Sequence, residues 1–301
     1  MPKEDFMRVL DSVAAKTNPA KVFVVISGGE PLMRDDLEEC CSAIYEKGFP
    51  WGLVTNGFYL SRQRFVSLLK AGMHTMTISL DGLEDEHNWM RGHADSFRRV
   101  DEAISMLVSV PGFTFDIVTC VNRRNYTQLE DIKKYLINKN VRRWRIFSIF
   151  PSGRATNDPD MKLTTEEFRG MFEFIRNTRK EGHIRADYGC EGFLGNYEAE
   201  VRDHFYTCQA GISVASVMAD GSISACTSIR ANFSQGNIYK DDFMEVWENR
   251  YQQFRNREWT KTGQCAECGY WRYCKGGGMH LHDGNGNLLL CHLNKLRELK
   301  Q

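Results

Sequence analysis

The sequence predicts an α/β fold built on a parallel sheet, followed by a smaller cysteine-rich α+β region. Three observations predict it. Apolar runs of strand length alternate with amphipathic helical stretches from residue 3 to residue 150. The first run, Val22–Ile26, is continuous rather than alternating, which suits a strand covered on both faces. The texture then changes: residues 190–301 hold seven of the ten cysteines, many glycines and only short β runs.

The elements follow in order. Phe6, Val9, Leu10 and Val13 recur at helical spacing and predict a helix over residues 3–16. The strand over 22–26 ends in Gly28-Gly29-Glu30-Pro31. Asp35 opens a helix with Leu37, Cys40, Cys41, Ile44 and Tyr45 on one face, and Gly48 ends it. Strand 51–55, helix 61–71, strand 74–80, helix 96–109, strand 113–121, helix 127–139 and strand 143–150 complete the alternation, making five strands in all. Thr164 and Glu167 form a capping box for a further helix with Phe168, Met171, Phe172 and Ile175 as its stripe. Asp220-Gly221, between Val214–Met218 and Ser222–Cys226, predicts a hairpin. An amphipathic helix over 241–256 precedes the last cysteines. The boundary is placed near 185, giving domains 1–185 and 186–301. The array begins with a helix where a βα array normally begins with a strand, so a first strand is expected to be missing from this chain.

Composition narrows the function classes. The 301 residues carry 39 basic and 39 acidic side chains, so no overall positive field favours nucleic acid. No apolar run approaches ~18 residues, which gives no membrane span. The N-terminus lacks a secretory pattern, and the thiols are expected to stay reduced in the cytoplasm.

Cys265-x2-Cys268-x5-Cys274, with Cys291 seventeen residues on, gathers four thiols in a glycine-rich segment. Packing alone seldom produces such spacing; four thiolates suit zinc or an iron–sulfur cluster, and the spacing does not choose between them. Cys190, Cys208 and Cys226 form a looser trio, readable as ligands or as separate buried thiols. Cys40, Cys41 and Cys120 read as core residues. His280, His282 and His292 flank the last thiols and read more simply as ordinary buried histidines than as ligands.

Three successive strand ends carry polar or glycine clusters: Gly28-Gly29-Glu30-Pro31, Thr55-Asn56-Gly57 and Ser79-Leu80-Asp81-Gly82. Ligands of parallel sheets gather at the carboxyl ends of strands, although Asn-Gly and Asp-Gly also form ordinary turns. Glycine lets backbone approach a ligand, and Glu30 is suited to accept from an ammonium. Arg91, read in a loop before the 96–109 helix, is a candidate carboxylate clamp, and Arg154 after the fifth strand is another anion-binding candidate.

Together these motifs resemble the radical S-adenosylmethionine (radical SAM) enzymes with a C-terminal SPASM domain, a group that includes the anaerobic sulfatase-maturating enzymes. The cysteine run, Cys208-x12-Gly221-x4-Cys226 followed by Cys265-x2-Cys268-x5-Cys274 and Cys291, is specific to SPASM domains and turns the choice to iron–sulfur. The resemblance implies a partial (β/α)6 TIM-like barrel lacking its first strand, with S-adenosylmethionine at its carboxyl-end rim. It implies that Gly28, Gly29, Glu30 and Pro31 meet the ammonium, that Ser79 and Arg91 meet the carboxylate or ribose, and that Asn56 shapes the rim. It implies an auxiliary [4Fe–4S] cluster on Cys265, Cys268, Cys274 and Cys291, and a possible second one on Cys190, Cys208 and Cys226. The implied chemistry is hydrogen abstraction by a 5′-deoxyadenosyl radical from a peptide or protein side chain, with electrons from an external donor.

Two departures follow. The family's further cysteine after the Cys274 position falls on Gly278, leaving the second auxiliary cluster short of a thiolate. No cysteine precedes Cys40, so the CxxxCxxC of the radical cluster is missing, at the same place as the missing first strand. A radical [4Fe–4S] cluster is therefore expected only with an N-terminal extension. The other readings are a non-catalytic auxiliary-cluster electron-transfer or binding module, and a zinc-stabilised binding protein.

Overall fold

The protein is described by a computed structural model covering residues 1–149, 153–189, 191–229 and 232–297. Cys190 and the side chain of Arg154 lie outside the described residues. The chain forms two compact units, one of residues 17–149 and 170–189, the other of 1–16, 150–169 and 190–301.

The first unit is a six-stranded parallel sheet in sequential order, β1 (Val24–Ile26), β2 (Trp51–Thr55), β3 (Met73–Ser79), β4 (Thr114–Val121), β5 (Arg143–Ser148) and β6 (Arg185–Tyr188). One face is apolar and covered. Trp51, Leu53, Met76, Ile78, Ile117, Trp144, Ile146 and Ala186 point into it and are almost fully buried. The covering helices run between the strands, as a parallel connection requires. They include α2 (Leu37–Glu46), α3 (Arg62–Lys70), α4 (Glu84–Arg91) and α5 (Ser96–Val108), then α6 (Arg123–Tyr126) and α7 (Leu129–Asn138). The stripe Val100, Ala103, Ile104 and Leu107 of α5 is fully buried, which shows why its apolar spacing makes it a helix with one inward face. Indole nitrogens in this layer are satisfied: Trp51 donates to the Ala71 carbonyl at 2.9 Å and Trp144 to the Thr119 hydroxyl at 2.8 Å.

The opposite face is concave and mixed, with Thr77, Asp116, Arg145 and Asp187 beside Val25 and Val54. Phe23 just before β1, Val25 within it, and Arg185 and Asp187 of β6 line one cavity of about 400 Å³. Five interstrand steps of ~4.8 Å would hold these strands ~24 Å apart in a flat sheet, so the sheet curls toward closure. This is the curvature of a partial barrel.

Three features differ from the sequence expectation. The sheet has a sixth strand, β6, which carries the exposed Arg185 and half-buried Asp187 between buried Ala186 and Tyr188 and so shows no apolar run. It pairs with β5 and takes the sheet past residue 185. Among the described residues β1 is an edge strand paired with β2 alone; Phe23 and Val25 are 46% and 54% exposed, not covered on both faces. Cys120 is only half-buried, because it falls on the concave side of β4 between buried Thr119 and Val121.

In the second unit, α1 (Lys3–Lys16) packs on α10 (Phe243–Asn249). Asp242, whose side chain caps α10, accepts the Ser12 hydroxyl at 2.8 Å, and Ser12 Oγ accepts the Met244 N–H at 3.2 Å. Arg8 donates to the Ile238 carbonyl at 3.2 Å. Helix α1, counted with the barrel from its place in the sequence, is thus grouped in space with the C-terminal residues. The chain crosses between units within α8 (Thr165–Glu181), whose Thr164–Glu167 capping box is present in both directions at 2.7 and 3.2 Å. A short helix α9 (Glu198–Val201) precedes the expected hairpin, β7 (Ser216–Val217) and β8 (Ser222–Ser224), which a third strand, β9 (Gly236–Asn237), extends. Gly221 takes φ +84° in the turn, and a Cβ there would meet the Tyr239 ring. The helix expected over 241–256 is broken into α10 and α11 (Gln252–Arg255). Among the described residues no helix is long and apolar enough to cross a membrane.

Candidate functional site

The carboxyl ends of β1, β2 and β3 form a contiguous rim. After β1, Gly28 takes φ +138°, and a Cβ at either Gly28 or Gly29 would meet nothing within 4 Å. Their backbone is open to a ligand. Pro31 is buried and starts a 3₁₀ turn capped by Glu30. The Glu30 carboxylate is already engaged. Its Oε1 accepts from Leu32 N at 3.0 Å and from the Thr55 hydroxyl at 2.6 Å, and its Oε2 accepts from Asn56 N at 2.8 Å. A carboxylate has about four acceptor positions, so about one remains for a ligand ammonium. Glu30 is first of all the fastener between two strand ends. Asn56 turns its Oδ1 back to Phe58 N at 2.8 Å, and Gly57, at φ +75°, packs where a Cβ would touch Ala103 and Val100.

Ser79 ends β3, opposite Val118 in the register, and is half-buried. Arg91 is the last residue of α4, not part of a loop. The acidic first turn of α4 and the left-handed Gly92 after it are the local reasons for that helix, and both were visible in the sequence. Arg91 Nη2 lies 2.5 Å from Asp81 Oδ2, and Asp81 is 1% exposed. Asp81 is itself held from several sides. Its Oδ1 accepts Cys120 N at 2.8 Å, its N–H donates to His87 Nδ1 at 3.0 Å, and its carbonyl accepts from Asn125 Nδ2 at 2.7 Å. Burial holds His87 down to about pKa 4, against the pull of Asp81 and with the push of Arg91, so the ring is neutral at pH 7. Because Nδ1 accepts, the proton sits on Nε2. Asp81, His87, Thr55 and Asn125 were missed as site residues: Asp81-Gly82 reads locally as a turn, and only the fold shows that Asp81 is buried beneath Arg91.

The thiols lie in the other unit. Cys265, Cys268, Cys274 and Cys291 are free, as are Cys208 and Cys226. Burial pushes the Cys265 thiol up to about 11, and the charges of Cys274, Cys291 and Cys268 push it the same way, so the four sulfurs lie within electrostatic reach of one another. Burial also raises Cys274 and Cys291, while the N–H groups of Gly276 and Gly277 oppose this at Cys274, and those of Asn294 and Leu293 at Cys291. Gly276 and Gly277 both take φ +79°, after α12 (Trp271–Cys274); Leu293 and Asn294 open α13 (His292–Arg297). Backbone donors aimed at sulfur suit thiolates rather than thiols.

Among the described residues no three His, Cys, Asp or Glu side chains form a ready-made site for one ion. Four mutually coupled thiols with backbone donors nevertheless fit a group that binds soft thiolate ligands, and an iron–sulfur cluster is such a group. Cys208 packs against the Phe193, Tyr206 and Leu293 cluster together with Cys274 and Cys291. It also packs, with Cys226, against the cluster that includes Ile223, Tyr251, Phe254 and Met279. At Gly278 a Cβ would come within 2.6 Å of His280 Cε1 and 2.8 Å of the Glu191 carbonyl, so no side chain fits there without displacement. His282 is held neutral by burial, down to about 4, with Nδ1 3.1 Å from the Gly278 carbonyl. Burial likewise lowers His280, and His292 lies with Nε2 3.9 Å from Glu191 Oε2.

The radical SAM superfamily profile matches residues 1–136, and the profile of the SPASM iron–sulfur cluster-binding domain matches residues 208–269. An AdoMet-dependent heme synthase of Oleidesulfovibrio alaskensis is 27% identical over 289 residues, covering 89% of this chain and 72% of that protein. The mycofactocin maturase MftC of Mycobacterium tuberculosis is 27% identical over 266 residues, covering 85% of this chain and 66% of its own length. The structure of anSMEcpe with bound AdoMet and the Cp18Cys peptide superposes with a TM-score of 0.72 at 19% identity, over 100% of this chain and 87% of that one. The two domains imply [4Fe–4S] clusters and S-adenosylmethionine as cofactors. With its curled parallel sheet and its thiol-rich second unit, the chain carries a radical SAM family domain over residues 1–136 and a SPASM domain over residues 208–269.

Proposed function

We propose that this chain is the S-adenosylmethionine-binding and auxiliary-cluster part of an enzyme that modifies a peptide or protein side chain in the cytoplasm. The observation that carries the reading is the rim. Open glycine backbone after β1, and a hydroxyl and a guanidinium at and after the end of β3, stand at the carboxyl ends of strands in a radical SAM domain.

In this reading Gly28, Gly29 and Glu30 receive the ligand ammonium, and Pro31 fixes the loop that presents them. Ser79 and Arg91 receive its carboxylate or ribose, and Asn56 borders the site. Asp81 holds the Arg91 guanidinium through Nη2 at 2.5 Å, and the Arg91 side chain is partly exposed. In the family the cofactor pair supplies a radical that abstracts hydrogen, with one electron from an external donor. Cys265, Cys268, Cys274 and Cys291 would hold one auxiliary cluster; Cys190, Cys208 and Cys226 would contribute to a second. The functional division at 185/186 belongs to the same proposal. The peptide substrate is supported by the peptide bound in anSMEcpe and by the maturase activity in the name of MftC.

Titration of the anaerobically reconstituted protein with S-adenosylmethionine tests the rim. Arg91→Ala and Ser79→Ala should each weaken binding, the first by ~10-fold or more. Unchanged affinity in both would refute the assignment. The 301 residues contain no CxxxCxxC, so 5′-deoxyadenosine is expected only from a form that carries those three thiolates.

A further inference from the structure

The end of β3 is locked to the end of β4. Leu80 N donates to the Val118 carbonyl at 2.8 Å, and the Thr119 hydroxyl donates to the Leu80 carbonyl at 2.6 Å. Asp81 continues the lock. Its Oδ1 accepts Cys120 N at 2.8 Å, and its carbonyl accepts Asn125 Nδ2 at 2.7 Å. Asn125 is fully buried, and the same nitrogen donates to the Cys120 carbonyl at 3.0 Å. Asp81 therefore cannot shift without leaving buried polar groups unpaired.

On its other side Asp81 meets α4 twice. Its N–H donates to His87 Nδ1 at 3.0 Å, and its Oδ2 lies 2.5 Å from Arg91 Nη2. His87 and Arg91 are one helical turn apart and share a face of α4. Residues around α6 hold the same helix elsewhere. Arg124 pairs with Glu86 at 2.6 Å and lies 4.2 Å from the centre of the Trp89 ring, and Gln128 Oε1 accepts Leu83 N at 3.0 Å.

Arg91 is the last residue of this docked helix, and its side chain is 29% exposed. Asp81 and His87 are each 1% exposed, so neither offers a surface to a ligand. A free arginine loses rotamer freedom when it grips a ligand. One already fixed by a buried carboxylate loses less, and binds more tightly for that reason.

We infer that Asp81 is a positioning residue for S-adenosylmethionine: it touches no part of the ligand and acts through Arg91, with His87 fastening α4 to it. The inference rests on the place given to Arg91 in the proposed rim, and adds a buried group to that site.

The test is a double-mutant cycle, read by calorimetric titration of the anaerobically reconstituted full chain with S-adenosylmethionine. Asp81→Asn keeps the side-chain volume and an acceptor for Cys120 N but loses the charge that holds Arg91. It should weaken binding ~10-fold in the wild-type background and change it less than ~2-fold in the Arg91→Ala background. A general structural role would weaken both backgrounds alike. His87→Leu leaves Asp81 in place and should show the same dependence on Arg91, with a smaller loss of ~3-fold; it carries the test if Asp81→Asn does not keep the wild-type circular dichroism. Equal weakening in both backgrounds overturns the inference. So does wild-type affinity in the folded variant when Arg91→Ala alone binds weakly, a result that leaves the rim standing. Wild-type affinity in Arg91→Ala itself removes Arg91 from the rim, and the inference with it.

Discussion

The Thr55 hydroxyl donates to Glu30 Oε1 at 2.6 Å, joining the turn after β1 to the last residue of β2 across 25 positions of sequence. The same hydroxyl accepts Gly57 N at 3.0 Å, and the other oxygen of Glu30 takes Asn56 N at 2.8 Å. One carboxylate and one hydroxyl therefore set the spacing of two loops on the rim.

Glu30→Gln places an amide donor against the Asn56 N–H or leaves the Thr55 hydroxyl short of its acceptor. Stability should fall by about 2 kcal/mol, the scale of a charge-assisted hydrogen bond lost at a half-buried site. Urea denaturation measures it. S-adenosylmethionine affinity should fall as well, because the rim loses its spacer. A variant as stable as wild type would show that the carboxylate does not fasten the loops.

His87 predicts a pH dependence. Its folded pKa, about 4, lies below the ordinary 6.5 because burial penalises the charged ring. The unfolded chain thus binds the extra proton first, and the stabilising contribution, complete above about pH 6.5, is lost as pH falls through about 4. The full span corresponds to about 3 kcal/mol. His87→Gln keeps an acceptor for Asp81 N but does not titrate. Its stability should decline less than that of wild type between pH 6.5 and 4; parallel curves would count against the buried neutral ring.

The thiol assignment is tested by metal content. Cys265→Ala with Cys268→Ala should abolish most iron bound after anaerobic reconstitution and bleach the visible charge-transfer absorption of a cluster. Iron retained at the wild-type level would move the ligands elsewhere. A colourless wild-type protein that takes up zinc and no iron would replace the cluster with a zinc site.

Ser12→Ala removes the hydroxyl that bridges Asp242 Oδ2 and Met244 N. The cost should be about 1 kcal/mol, that of one lost capping partner. Hydrogen exchange should rise in α1 and α10 together and stay unchanged in β2–β5, because α1 belongs to the unit that holds α10. Protection lost equally in the sheet would contradict that grouping.

Much of the architecture was legible because its signals are local. Apolar runs and helix stripes depend on which neighbours a residue has in sequence, and β2 to β5 appeared close to where they were read. β6 was not legible. Arg185 and Asp187 interrupt its apolar residues, and it is a strand because β5 offers it a hydrogen-bonding edge. The exposure of Val25 was not legible either, since a continuous apolar run looks the same at the edge of a sheet as at its centre.

The candidate site divides the same way. Residue types at the strand ends and the cysteine spacing, read alone, pointed to a rim and a thiol cluster, because glycine, guanidinium and thiol chemistry belong to the residue itself. Partnership belongs to the fold. Asp81 beneath Arg91 and Glu30 against Thr55 both require the chain to return to a place it has already passed. The sequence determined which groups are present and which local elements carry them. Only the tertiary structure decided which are buried, which charges are matched, and that α1 lies with the C-terminal unit rather than with the sheet it precedes, since burial and pairing are properties of three-dimensional proximity.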